Sequence, residues 1–268
     1  MKIFMVDNIL QRIAATKRRE VEAMKGVIPE GLMRKLAVAC GREPLDMSGS
    51  IRLSPVGIIA EHKRRSPSKG EISPMSDVET VARMYASNGA AAMSVLTDTP
   101  FFGGSLEDLA VARKATPTLP LLRKEFIVDD YQIYQARVYG ADAVLLIASM
   151  ISGEEIRRMN DLAHSLGMQT LVELHMLDEL KSLPSDADMV GVNNRDLTSF
   201  NTDLRNAFDM VASLPEKMVK VAESGIKTPK DMQRLKSVGF NGFLIGEAFM
   251  STPDPGVRLR EFIATGNS

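Results

Sequence analysis

The sequence predicts an α/β protein, a (β/α)8 barrel of the TIM type with an N-terminal helical extension. Three observations predict it. Eight short apolar runs alternate with amphipathic stretches from Val56 onward, several of those stretches close at a glycine just before the next run, and polar residues end the runs. Residues 1–268 read as one barrel domain, with residues 1–50 as the extension.

In chain order, Asn8–Lys25 reads as a charged helix with Ile9, Leu10, Ile13, Val21 and Met24 on or near one face, and Pro29–Cys40 as a second. Both are expected to cap or flank the barrel. The strands are expected at Gly57–Glu61, Ala92–Leu96, Leu119–Arg123, Ala143–Ile147, Gln169–Glu173, Met189–Asn193, Met218–Glu223 and Gly242–Ile245. Each is nearly continuous in Val, Ile, Leu, Met or Ala, as parallel strands buried on both faces require. Helices are expected at Asp77–Ser87, Ser105–Lys114, Asp130–Tyr139, Gly153–Leu166 and Pro229–Val238, with Asp, Ser or Thr at several starts as N-caps. Asn88-Gly89, Tyr139-Gly140, Leu166-Gly167 and Val238-Gly239 have the form of left-handed helix stops. Eight such units in roughly 210 residues suit a barrel, whose usual size is about 250. The competing topology, an open doubly wound sheet, would carry a glycine-rich turn after its first strand, where His62-Lys63-Arg64-Arg65 stands instead.

Composition bounds the function. Lys and Arg total 33 against 34 Asp and Glu, a net charge of -1, so no broad cationic surface for nucleic acid is expected and any anion must be met locally. One cysteine, Cys40, rules out an intramolecular disulfide, and His62, His164 and His175 lack the pairing of common zinc motifs, so no metal site is expected. The amino terminus lacks the apolar core of a signal peptide, and no stretch nears the ~20 apolar residues that span a bilayer. A cytoplasmic protein without membrane contact is expected, and the absence of an obvious exposed apolar stripe makes a monomer the expected state.

In a barrel of this kind the loops after the strands converge on one mouth. Those loops hold Glu61 and Lys63, Thr97-Asp98, Lys124-Glu125-Phe126, Ser149, Glu173, Asn193 with Arg195, Glu223-Ser224-Gly225 and Gly246-Glu247. Three carboxylates (Glu61, Glu173, Glu223) and two lysines (Lys63, Lys124) can supply acids and bases once burial and neighbouring charge shift their pKa values. Rim salt bridges are the plainer alternative for each of these charges taken alone. Ser224-Gly225 and Gly246-Glu247 follow strands seven and eight, where backbone N–H groups often meet phosphate, and Ser66-Pro67-Ser68-Lys69-Gly70 could close over the same anion. Phe101, Phe102 and Phe126 could floor a pocket for an aromatic ring, although simple loop packing serves them equally well.

The segments IIAEHKRRSPSKG, VLTDTPFFGGSLEDL, LLRKEFIVDDYQIYQARVYGADAVLLI, LVELH, GVNNRDL, VAESGI and FLIGEAFM together resemble the indole-3-glycerol phosphate synthase family, in order and over nearly the whole chain. The resemblance implies ring closure of 1-(2-carboxyphenylamino)-1-deoxyribulose 5-phosphate with loss of carbon dioxide and water, in tryptophan biosynthesis, without metal or organic cofactor. By the same resemblance Lys124 is the general acid, Lys63 holds the substrate carboxylate and acts in dehydration, Glu173 is a base, Glu61 orients Lys63 and substrate hydroxyls, and Asn193 and Glu223 position the substrate. Arg195 supports the rim. Ser66, Ser224, Gly225, Gly246 and Glu247 surround the phosphate, the last through its backbone N–H, and Phe102, Phe126 and Leu145 line the ring pocket. His62, Arg64, Arg65 and Gly103 depart from residues more frequent in the family. Taken without the resemblance, the residues leave two other readings open: a phosphosugar isomerase or Schiff-base aldolase with Lys124 as nucleophile, and a non-catalytic barrel that binds phosphorylated ligands.

Overall fold

A computed structural model describes residues 9–196 and 201–266, without the side chain of Ile9. The expected helix start at Asn8 and the end of the GVNNRDL segment at Leu197 lie outside the described residues. Eight parallel strands close into a barrel: β1 (Ile58–His62), β2 (Ala92–Leu96), β3 (Leu121–Lys124), β4 (Ala143–Ile147), β5 (Gln169–Leu174), β6 (Met189–Asn193), β7 (Val219–Glu223) and β8 (Gly242–Ile245). Each pairs with its sequence neighbours, and β8 closes on β1 through Ile58↔Phe243 to Ala60↔Ile245. The open-sheet alternative is thereby excluded. Four strands have the expected bounds, and the others move by one or two residues at an end.

Three helices precede the barrel: α1 (Ile9–Val27), α2 (Glu30–Ala39) and α3 (Met47–Leu53). The helices outside the strands are α4 (Val78–Ser87), α5 (Thr99–Phe102), α6 (Leu106–Ala115), α7 (Asp130–Val138), α8 (Gly153–Ser165), α9 (Arg205–Met210), α10 (Pro229–Ser237), α11 (Glu247–Met250) and α12 (Pro255–Gly266). After β5 the repeat weakens to a 3-10 turn, Leu177–Ser182. Asp77, Ser105, Ser152 and Thr228 each accept a backbone N–H at a helix start, satisfying donors that the first turn leaves unpaired. Gly89, Gly140, Gly167 and Gly239 all adopt positive φ. At all four the helix stop is complete, because the N–H after the glycine (Ala90, Ala141, Met168 and Phe240) reaches back across the turn to the carbonyl of Tyr85, Ala136, Ala163 and Leu235.

Side chains alternate along each strand, so the barrel holds two apolar layers. Ile59, Leu122, Leu145, Leu171, Met189, Val219, Val221 and Leu244 fill the interior. Ile58, Ala60, Val95, Leu146, Val172, Val190 and Phe243 face the helices. Met47 and Ile51 of α3 are wholly buried with the interior set, which makes α3 the plug of the end where the strands begin. The sequence reading ran only two helices through the extension and missed this one.

Candidate active site

Alternation also decides what reaches the mouth. Two residues beyond the inward Ile59, Leu122, Leu171 and Val221 stand Glu61, Lys124, Glu173 and Glu223, the last inward positions of their strands. Gly191 and Asn193 hold the same relation on β6. Glycine at 191 is required there, because a Cβ would lie 2.2 Å from Glu223 Oε1. In the same way a Cβ on Gly246 would meet Glu61 Oε1 at 2.5 Å.

These groups enclose a cavity of about 650 Å³, and every residue that the family resemblance assigned as acid, base, phosphate or ring contact lies in its wall. Lys124 Nζ donates to Glu173 Oε2 at 2.8 Å and lies 3.4 Å from Glu223 Oε2. Lys63 Nζ stands 2.7 Å from Glu61 Oε1, and Asn193 Nδ2 donates to Glu173 Oε1 at 3.1 Å. Burial works against the Lys124 charge, but Glu173, Glu223 and Glu61 outweigh it and hold the pKa above its usual range. Burial likewise pushes Glu173 up, and the charges of Lys124 and His175 with the Lys124 and Asn193 hydrogen bonds override it, leaving Glu173 at about 2. Burial raises Glu223 to about 8 against the pull of Lys124, with Glu173 adding to the rise. The centre thus offers an ammonium, a carboxylate and a carboxylic acid within a few ångströms, a set able to give and take protons at neutral pH.

The loop after β1 folds over one side as a hairpin, Arg65–Ser66 against Gly70–Glu71. Arg64 fixes it to the Asp108 carboxylate at 2.5 and 2.9 Å, and Arg65 donates to the carbonyls of Thr99 and Pro100 at 2.7 Å each. Arg195 Nη1 reaches Ser68 Oγ at 3.0 Å across the opening, and Lys69 and Arg195 approach the Glu247 carboxylate at 3.5 and 4.0 Å. Beneath the hairpin, Ser224 (φ 62) and Gly225 (φ 77) are consecutive left-handed residues. Such a pair turns successive backbone groups toward one point, a form that suits anions. The Phe102 and Phe126 rings meet at 5.9 Å with 43° between their planes.

Thr97, Asp98, Phe101 and Ser149 do not line the cavity. Phe101 is therefore no part of the pocket floor, which is corrected accordingly. Asp98 instead caps α5 through the N–H groups of Phe101 and Phe102. The sequence reading missed several wall residues: Leu10 and Ile13 from α1, Ile147, Asn201, Thr202, Lys227 and Leu244. It also missed His175, whose Nε2 lies 3.3 Å from Glu173 Oε1. For α1 a signal existed: Lys17 interrupts the stripe of Leu10, Ile13, Val21 and Met24, and a charge on a buried face demands partners. Among the described residues no three His, Cys, Asp or Glu side chains form a metal-binding group, and no helix is long and apolar enough to cross a membrane.

Residues 10–262 match a family model described as indole-3-glycerol phosphate synthase. The protein of that name from Bacteroides thetaiotaomicron is 45% identical over 258 residues, covering 96% of this chain and 98% of its own length. Those of Roseiflexus sp. and Carboxydothermus hydrogenoformans are 45% and 43% identical, covering 96% and 95% of this chain and 98% and 99% of theirs. Among solved structures, 3-hexulose-6-phosphate synthase from Salmonella typhimurium superposes with a TM-score of 0.63 at 15% identity, covering 78% of this chain and 97% of that one. Thiamine phosphate pyrophosphorylase from Pyrococcus furiosus does so at 0.59 and 18%, covering 80% and 96%. These two share the barrel with this chain.

Proposed function

The chain belongs to the indole-3-glycerol phosphate synthase family, and from that membership we propose how its cavity carries out the family's reaction. The protein is a carboxy-lyase of tryptophan biosynthesis that cyclises 1-(2-carboxyphenylamino)-1-deoxyribulose 5-phosphate to indole-3-glycerol phosphate. Membership decides against the aldolase, isomerase and binding-only readings. The charge on Lys124 agrees, since a Schiff-base nucleophile must be a neutral amine and the field of the surrounding glutamates, Glu173 first, favours the protonated form of this lysine.

One observation carries the assignment of roles: Lys124 lies between Glu173 and Glu223 at the centre of the wall, with Lys63 and Glu61 paired beside it. The aromatic carbon that bears the carboxylate attacks the ribulose carbonyl carbon, and Lys124 gives its proton to the oxygen as that oxygen becomes a hydroxyl. Such general acid catalysis is worth about 10²–10⁴ in rate. The carboxylate leaves as carbon dioxide, its bonding electrons returning to the ring. Lys63, which first held that carboxylate, then protonates the hydroxyl as it departs as water, while Glu173 takes the hydrogen from the adjacent ring carbon and completes the indole.

Glu61 holds Lys63 in place, and Asn193 and Glu223 position Glu173, Lys124 and the substrate chain. Ser66, Ser224, Gly225, Gly246 and the N–H of Glu247 hold the phosphate, with Arg195 at the rim. Phe102, Phe126 and Leu145 hold the aryl ring. We read the protein as a cytoplasmic monomer of one domain, on its single closed barrel, that does not bind nucleic acid, on its balanced charge. Purified protein mixed with the substrate should develop indole fluorescence, read against a low background because the chain has no tryptophan. A flat trace from folded protein would sink the reaction, and a Lys124→Ala variant as fast as its parent would sink the choice of acid.

A further inference from the structure

The reaction uses charges at the centre of the mouth, yet a second buried ionic cluster lies behind its aromatic side. Lys17 sits on α1 with 3% of its side chain exposed, 2.6 Å from Asp98 Oδ2, 3.3 Å from Glu125 Oε1 and 2.8 Å from Glu20 Oε2. Asp98 is fully buried and Glu125 nearly so. Each carboxylate also holds main chain beside a pocket ring. Asp98 Oδ1 accepts from the N–H groups of Phe101 and Phe102 at 2.7 and 3.0 Å. Glu125 Oε1 accepts from the Phe126 N–H at 2.9 Å, and its Oε2 accepts from Thr97 Oγ1 at 2.7 Å. One ammonium therefore bridges the two anions from which the backbone at Phe102 and at Phe126 hangs.

We propose that Lys17 is a positioning residue for substrate, setting the separation of the Phe102 and Phe126 rings by clamping Asp98 and Glu125 together; this rests on the reading of those rings as the aryl pocket. The energetics support a clamp. Remove Lys17, and Asp98 Oδ2 loses its ion-pair partner while remaining fully buried, a situation that favours rearrangement over tolerance. Glu125 retains Arg123 Nη2 at 3.7 Å, so the Phe102 side should move more than the Phe126 side. Leu10 and Ile13, two turns and one turn before Lys17, line the same cavity, so the clamp seats the apolar start of α1 over the rings as well.

The test uses the full-length chain with Lys17→Met, and with Lys25→Ala as a control that removes the other α1 anchor, the 2.9 Å ion pair to Asp129 outside the cavity. Calorimetry with the borohydride-reduced substrate, which keeps the aryl ring and phosphate but has no carbonyl to attack, reads the pocket independently of turnover. Lys17→Met should weaken this ligand by about tenfold, the worth of one aromatic contact. Affinity for inorganic phosphate should stay within about twofold, Lys17→Arg should recover most of the loss, and Lys25→Ala should bind like the parent. In turnover the loss should appear in KM more than in kcat. Unchanged affinity for the reduced substrate in Lys17→Met, or equal losses in Lys17→Met and Lys25→Ala, would overturn the clamp and leave α1 a general anchor. If Lys17→Met does not fold, the paired variant Lys17→Gln with Asp98→Asn removes the two most deeply buried charges of the cluster together, leaving Glu125 with Arg123, and is judged by the same outcomes. A parent without turnover would overturn the assigned reaction instead, and the calorimetric result would still decide the clamp.

Discussion

The two ends of the barrel each bury a carboxylate, and they treat it in opposite ways. At the end where strands begin, Asp142 is fully buried; its Oδ1 accepts from Arg42 at 2.6 Å and from the Leu45 N–H at 2.8 Å, and its Oδ2 from the Leu121 N–H at 2.7 Å and from Arg113. At the mouth, Glu223 is as deeply buried, yet the cation beside it, Lys124, lies 3.4 Å away, and neither oxygen accepts a well-directed hydrogen bond among the described residues. A carboxylate with four donors is a structural joint. One left short of donors stores free energy that a reacting molecule can draw on. The bottom is built for stability and the mouth for chemistry, a division barrels of this kind commonly make.

The sharpest break would come at Lys124. Lys124→Ala should lower turnover by about 10²–10⁴, while its urea midpoint falls less than that of a variant at the other end, because Glu173 can take up a proton once the ammonium is gone. A variant that unfolds early yet turns over normally would reverse the comparison. Next in size is Asp142→Asn, which strips charge from between two arginines and should cost about 3 kcal/mol in urea unfolding. Its KM, measured on the folded fraction, should match the parent; a raised KM would mean that the two ends are coupled.

The strain at Glu223 can be read as a pH dependence. Its folded pKa of about 8 lies above the reference of 4.5, so between those values the folded state keeps a proton that the unfolded chain has released. Stability from this group is present below about 4.5 and is lost as pH rises toward 8. Glu223→Gln should therefore flatten the unfolding free energy across that window, and parallel curves for parent and variant would remove Glu223 from the account. Smallest is Ser224→Gly. A non-glycine residue at φ 62 costs about 1 kcal/mol, so glycine should stabilise by up to that amount while phosphate affinity falls slightly. A loss of stability would show that the serine side chain holds the turn.

Much of this architecture was legible because its signals are local. The glycine stops, the N-caps at Asp77, Ser105 and Thr228, and the polar ends of the apolar runs each depend on residues a few positions apart. The fifteen residues that the resemblance assigned to the site share one cavity because all but Leu145 end the strands or follow them at the mouth. Illegible were the features whose partners are distant. Helix α3 is seven residues long and poor in periodic signal, and only the open end of a closed barrel gives Met47 and Ile51 a place to go. Phe101 and Phe102 are adjacent and alike, and only the course of α5 in the folded chain puts Phe102 in the cavity wall and leaves Phe101 out of it.

The sequence by itself determined the repeat and the polar residues that end its apolar runs, since those follow from composition and chemistry within short windows, while the roles of acid and base came from the family resemblance. Tertiary structure decided which of them touch. Lys124 meets both Glu173 and Glu223 only because strand register and closure bring three strand ends to one axis, and Lys17 meets Asp98 and Glu125 only because α1 lies over the mouth. Burial and the mutual field of those charges exist only after that assembly, so the proton inventory of the site is a property of the fold and not of any one segment.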